Sequence, residues 1–244
     1  MANVAEHYET VLARHYSWLL GGFDAGVEEN HKFFLTHAIS PRGSGIAVDL
    51  GCGSGFQALP LAQLGFHVIA IDLSSTLLAE LTARKGDLPI ETVQGDLLDF
   101  PQYLTGKAEL CVCMGDTLTH LDSRETVGKF FRRIAENLEP EGQCLFTFRD
   151  LAHELTELAR FLPLRSDDQR IATCYLEYDP EHVKVHDLVY ENVHNRWIFK
   201  KSFYRKCRIP FEWVTASLCD AGFVLPVATK ENGLITIVAQ KKDA

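Results

Sequence analysis

The sequence predicts an α/β fold built on a parallel sheet and carrying an antiparallel β insertion. Three observations lead there. The apolar run 46–50, IAVDL, breaks into glycines at 51, 53 and 55 and then into a helical pattern. Between residues 46 and 149, strand-like runs alternate with helical ones, which implies right-handed crossovers and parallel strands. After residue 170 the rhythm changes to three successive runs rich in Val, Ile, Tyr, Phe and Trp.

Residues 4–38 read as two helices around Gly21-Gly22, the first with Val4, Tyr8, Val11, Leu12, Tyr16 and Leu19 at helical spacing. Strands follow at 46–50, 67–72, 90–95, 108–114 and 142–149, with helices near 55–64, 75–84 and 123–138. The runs 171–179, 182–193 and 195–208 predict three antiparallel strands, with DPEH and VHN as turns. PFEWVTASLCDAG is a helix opened by Pro and closed by Gly. Strands at 223–229 and 234–240, joined by KENG, complete the chain. We therefore expect one domain over 1–244, with an N-terminal helical lid at 1–40 and a β insertion at 165–209 that roofs an acceptor site.

The 244 residues are enough for one large domain, with 46% hydrophobic and 23% charged residues and a net charge of −9. That charge argues against a nucleic-acid partner. No apolar run approaches the 18 or more residues of a membrane span. Seven scattered cysteines form no CxxC pair, so no metal site is expected. Their odd number, with no signal-peptide pattern at the N-terminus, leads us to expect a cytoplasmic protein.

The glycine turn reads GxGxG. Phe56 stands where a dinucleotide-binding GxGxxG has its third glycine, which disfavours a nicotinamide cofactor. No GK[ST] follows, which excludes a Walker loop. Asp49 lies two residues before the first glycine. Asp72 ends the next strand, about 20 residues on, where a carboxylate can take both ribose hydroxyls.

With VDLGCGSG, AIDLS and VQGDLLDF in these positions, the sequence resembles the class I S-adenosylmethionine-dependent methyltransferases over roughly residues 46–240. The resemblance implies a Rossmann-like seven-stranded sheet with the last strand antiparallel, and S-adenosylmethionine as cofactor. It assigns to that cofactor Asp49, Gly51, Gly53, Gly55, Asp72, Leu73, Asp96, Leu97 and Met114. Asp96 would meet the adenine amino group and Leu97 the ring. Asp49 has the alternative of capping the turn, and Asp96 of capping a helix. Tyr8, Tyr16 and Trp18 suit a sulfonium with their ring faces, or are simply core at helical spacing.

The acceptor should lie at the ends of the fourth and fifth strands, CVCMGDTLTHL and CLFTFRDL. The (N/D)PP(Y/F) tetrapeptide of DNA and RNA amino-methyltransferases does not occur there. These segments resemble the glycine/sarcosine N-methyltransferase group, in which the loop looks like GNSFAHL. Gly115 and His120 match, whereas Asp116 replaces an Asn. Arg149 matches the arginine that holds the substrate carboxylate, but Asp150 and Leu151 depart from the Asn and Tyr that follow it. Asp116 is a candidate to orient or deprotonate an amine, or caps the next helix. His120 is a candidate base, or a packed histidine. Arg149 meets an acceptor carboxylate, or an internal acid such as Asp116 or Asp150. Tyr175, His186, Tyr190 and Trp197 are candidates for the roof, although the sequence does not say which parity of the inserted strands faces inward. The basic run 200–208 reads as a solvated strand edge or an anion site.

The expected activity is methyl transfer to an amine nitrogen of a carboxylate-bearing small molecule, by a monomer or homodimer. The alternatives are an O- or N-methyltransferase of a specialised metabolite, such as an aminosugar or cyclic scaffold, and a non-catalytic S-adenosylmethionine-binding module.

Overall fold

The computed structural model describes residues 4–242. The ends of the expected single domain and of its lid, residues 1–3 and 243–244, lie outside the described residues. Seven strands form the main sheet: β1 Ile46–Leu50, β2 His67–Asp72, β3 Ile90–Gln94, β4 Ala108–Cys113, β5 Leu138–Arg149, β10 Phe223–Glu231 and β11 Leu234–Lys241. Their order is β10-β11-β5-β4-β1-β2-β3. Strands β1 to β5 are parallel neighbours, and β11 enters antiparallel to both β5 and β10. The order reverses between β1 and β4, so the crevice for a ligand opens at their carboxyl ends.

Alternation along the buried strands sends side chains to two cores. Val48, Leu50, Ile69 and Ile71 pack under α6 (Arg124–Asn137) and α7 (Phe211–Asp220). Ala47, Val68, Ala70 and Val112 pack under α3 (Phe23–Thr36), α4 (Ala58–Gln63) and α5 (Ser75–Arg84). Ser74 caps α5 by accepting from the Leu77 N–H at 3.2 Å, and Ser123 caps α6 by accepting from Thr126 N–H at 3.2 Å. Among the described residues no helix is long and apolar enough to cross a membrane.

The segment before Gly21-Gly22 is less regular than the spacing predicts. It runs as α1 (Val4–His7), a π turn (Tyr8–Leu12), a 3-10 turn (Ala13–His15) and α2 (Tyr16–Leu19). Such π turns are rare and are frequently found at functional sites.

The insertion holds four strands where the sequence predicts three: β6 Phe161–Ser166, β7 Arg170–Tyr178, β8 His182–Val193 and β9 Arg196–Cys207. The extra strand contains Pro163, which lacks the N–H of a ladder donor. It is accommodated because β6 is an edge strand, with a register shift between Pro163 and Arg165. His194 and Asn195 turn β8 into β9, both with positive φ. One face of this sheet is buried: Cys174, Leu176, Val183, Val185 and Tyr204 pack on Leu12 and Leu151. The other face is open.

Candidate active site

The cradle begins where β1 ends. Gly51 and Cys52 N–H groups donate to the Ile71 carbonyl at 2.8 and 3.0 Å, which docks the glycine loop on β2. Gly51, Gly53 and Gly55 all have positive φ. A Cβ on Gly51 would overlap Thr117, and one on Gly53 would lie 3.3 Å from the Tyr16 ring. Gly55 faces Leu59 and Leu81 instead, so it serves helix packing rather than the cleft. Phe56, at the missing third glycine, is buried against Phe23 and Tyr16.

Asp72 is held from both sides. Its Oδ2 accepts from Gly53 N–H and its Oδ1 from Ser74 N–H, each at 2.8 Å. One lone pair per oxygen remains to take a hydroxyl. Burial nevertheless pushes its pKa up. Asp49 lies behind the loop and is 1% exposed. It accepts the Ala58 N–H, while Oδ2 lacks a partner among the described residues. Burial, and then the charge of Asp72, push its pKa up to about 8. Asp49 thus supports the turn and does not line the cleft.

The cleft has about 580 Å³ of empty space. Gly51, Gly53, Asp72, Leu73 and Leu97 line it on the sheet side, and Tyr8, Tyr16, Thr117 and His120 are among the residues opposite and around them. Besides Asp49 and Gly55, three further expected cofactor residues are not in its lining. Asp96 caps a 3-10 helix by accepting the Leu98 N–H at 2.8 Å and is exposed. Met114 is packed in the core. Trp18 turns toward the insertion, where Arg170 lies 4.4 Å from its ring. Trp18 sits two residues past Tyr16, about 200° around a helix, which sends it the other way.

The N-terminal segment crosses the cleft and is tied on both sides. His7 Nε2 is 2.9 Å from Asp187 Oδ2 on β8, and both side chains are buried. On the other side, the Glu9 carboxylate accepts from Ser74 Oγ at 2.7 Å and from Thr76 N–H at 3.2 Å, at the start of α5. The Thr76 hydroxyl, ahead of its neighbours, lowers the Glu9 pKa.

At the end of β4, Asp116 takes a left-handed conformation, with φ 76°. Gly115 N–H bonds Thr147 Oγ1 at 3.0 Å and Asp116 N–H the Thr147 carbonyl at 3.1 Å. The Asp116 carboxylate then accepts from Arg149 N–H at 2.6 Å, Lys206 Nζ at 2.7 Å and the Arg149 guanidinium at 3.3 Å. Burial alone would raise its pKa, but Lys206 and Arg149 outweigh burial and hold it at about 2. Asp116 therefore stays ionised and joins β4, β5 and β9. These contacts make it an anchor between the three strands. The Arg149 side chain is 67% exposed, so most of its donors remain free.

His120 faces the cleft between two tyrosines. Its Nε2 lies 3.4 Å from the Tyr8 hydroxyl, and its ring centre lies 5.9 Å from Tyr8 and 5.2 Å from Tyr204. Burial, reinforced by Lys206, pushes its pKa down to about 3. The imidazole is neutral, and Nδ1 has no partner among the described residues. A base this weak cannot keep a proton drawn from an ammonium, but it can accept a hydrogen bond.

The four expected roof residues have the opposite parity. Tyr175, His186, Tyr190 and Trp197 point to the open face of the inserted sheet, away from the cleft. Tyr175 and His186 are direct cross-strand partners, 5.6 Å between rings. Tyr190 stacks on Phe199, and Trp197 is half exposed. The inward set is Asp187, Tyr204 and Lys206, which the sequence reading missed. Alternation within the basic run was the available signal: Lys206 and Tyr204 are buried, and Lys201, Phe203 and Arg205 are exposed.

A family model described as a methyltransferase domain matches residues 47–142. The glycine/sarcosine N-methyltransferase of Halorhodospira halochloris is 28% identical over 134 residues, 52% of this chain and 48% of that protein. The chain thus spans about half the length of that relative. A putative methyltransferase of Geobacillus sp. (strain WCH70) is 26% identical over 191 residues, 75% of this chain and 76% of its own length. The CcbJ methyltransferase from Streptomyces caelestis superposes with a TM-score of 0.79 at 19% identity, covering 97% of this chain and 98% of that one. The amino pentose methyltransferase CalS10 from Micromonospora echinaspora superposes with a TM-score of 0.72 at 14% identity, covering 99% of each chain. The matched domain, the strand order and a glycine loop answered by Asp72 together support a class I S-adenosylmethionine-dependent methyltransferase.

Proposed function

We propose that this protein transfers a methyl group from S-adenosylmethionine to an amine nitrogen of a small molecule. The observation that carries this reading is His120, a neutral imidazole at the end of the cleft with Tyr8 and Tyr204 around it. When bound, the cofactor supplies an activated methyl on a sulfonium. The chain has to hold it, aim a lone pair at it and keep water out. Asp72 would take the ribose hydroxyls, Leu73 and Leu97 would flank the adenine, and the Gly51–Gly53 backbone would take the methionyl part. Tyr8 and Tyr16 present rings to the cationic centre. His120 Nδ1 accepts an N–H of the neutral amine and thereby fixes its lone pair. The segment from Val4 to Leu20 acts as the lid.

The finer reading is a carboxylate-bearing amine, held by the free donors of Arg149. A second reading, an aminosugar, is favoured by the bond that already occupies Arg149 with Asp116. The test is release of S-adenosylhomocysteine against carboxylate-bearing amines, aminosugars and phenols. Turnover on amines, lost in His120→Ala while cofactor affinity holds, supports the proposal. Turnover on phenols alone overturns the amine. Cofactor binding with no turnover on any acceptor favours a binding module. Arg149→Ala separates the finer readings, because only a carboxylate acceptor should show a raised KM.

A further inference from the structure

The inserted sheet has one face full and one face open. On the open face an aromatic row crosses all four strands. Phe161, Tyr175, His186 and Phe203 follow one another with ring centres 4.7, 5.6 and 5.4 Å apart. A second pair, Tyr190 and Phe199, stacks at 4.6 Å. Phe161 is 56% exposed, Trp197 51% and Phe199 45%. Contiguous exposed apolar surface of this kind marks an interaction site.

We propose that this face is the interface of a homodimer, formed with a second copy of the chain about a two-fold axis. Its size fits. Four strands spaced about 4.8 Å apart, with the nine residues of β7 at about 3.4 Å each, give roughly 19 by 31 Å, or about 590 Å² in projection. Side-chain relief brings this close to the ~800 Å² per partner of a standard stable interface. Its chemistry fits a like partner. Glu177 binds Lys184 at 3.0 Å and His186 at 3.1 Å within the chain, while Lys201, 5.9 Å from the Phe199 ring, and Arg205 lie exposed at the edge of the row. A row of rings can meet itself across a two-fold axis, since each residue then serves both sides. The chain's net charge of −9 opposes a nucleic acid, but Lys201 and Arg205 on this face make single-stranded RNA the competing occupant that the test has to exclude. This inference stands apart from the proposed reaction, because none of these residues lines the cleft.

The test is the solution mass of the full chain by sedimentation velocity over a micromolar concentration series. The expected result is twice 27.4 kDa. Phe199→Asp on β9 and Phe161→Asp on β6 should each weaken self-association on the order of a hundredfold, because a carboxylate would be buried at the centre of the contact. Circular dichroism and S-adenosylhomocysteine affinity should match the parent, which separates a lost interface from a lost fold. A parent that stays at 27.4 kDa overturns the proposal. So does a dimer that survives both substitutions, or a monomer whose aromatic face retains single-stranded RNA.

Discussion

His7 and Asp187, 180 residues apart in the chain, meet at 2.9 Å with both side chains buried. This contact fastens the N-terminal segment to the inserted sheet. Asp187→Ala would leave His7 buried with neither ring nitrogen bonded, since Nδ1 already lacks a partner among the described residues. The expected cost is about 1–3 kcal/mol of stability. Cofactor affinity should fall with it, because His7 precedes Tyr8 of the cleft wall. Thermal denaturation and titration calorimetry with S-adenosylhomocysteine measure the two effects.

Asp72 makes two bonds to main-chain N–H groups and offers its remaining lone pairs to the cleft. Asp72→Ala removes the ribose contact and loosens the Gly53 turn together. Cofactor affinity should fall about tenfold or more, as expected for losing charge-assisted bonds. Unchanged affinity in calorimetry would remove Asp72 from the cofactor site.

Lys206 is the buried partner of Asp116. Lys206→Met leaves that carboxylate buried with only the exposed Arg149 guanidinium and the Arg149 N–H. A loss of about 3 kcal/mol is expected, the lower end for breaking a buried pair. The Asp116 pKa should rise from about 2 as its largest attractive partner goes. Urea denaturation at neutral pH gives the first, and carboxyl NMR titration the second.

Asp49 sets a pH dependence of opposite sign to that of most carboxylates. Its pKa is about 8 in the fold, against 3.8 ordinarily. Between these values the folded protein holds a proton that the unfolded chain has released. Stability of the cofactor-free protein should therefore fall as pH rises through that window. Asp49→Asn keeps an oxygen for the Ala58 N–H and removes the titration. The urea midpoint of the variant should gain on the parent progressively toward the alkaline end. An unchanged difference across the window would mean that Asp49 ionises normally.

The parts of the site that could be read in the sequence are those fixed by short-range spacing. A strand, three glycines and an acid about 20 residues on determine a loop and its partner almost locally, and Gly51, Gly53 and Asp72 line the cleft together. The same local pattern could not separate Gly55, whose neighbours Leu59 and Leu81 are set by helix packing. In the insertion, locality failed. Both faces of β8 and β9 carry apolar or aromatic side chains, so Tyr190 and Val189, or Phe203 and Tyr204, look equally eligible for the interior. Burial of Asp187 depends on His7, far away in the chain, and nothing near Asp187 announces it. Strand β6 was hidden by Pro163, which lowers strand propensity everywhere except at an edge.

The double fastening of the N-terminal segment has a kinetic consequence. Glu9 holds it to α5 and His7 holds it to β8, and with the segment in the proposed role of a lid both contacts would have to open before a spent cofactor could leave. Departure of S-adenosylhomocysteine, rather than the transfer itself, should then set the turnover number. Rapid-quench experiments would reveal this as a burst of one methylated product per site ahead of a slower steady rate. Glu9→Gln should quicken the steady phase and leave the burst amplitude intact.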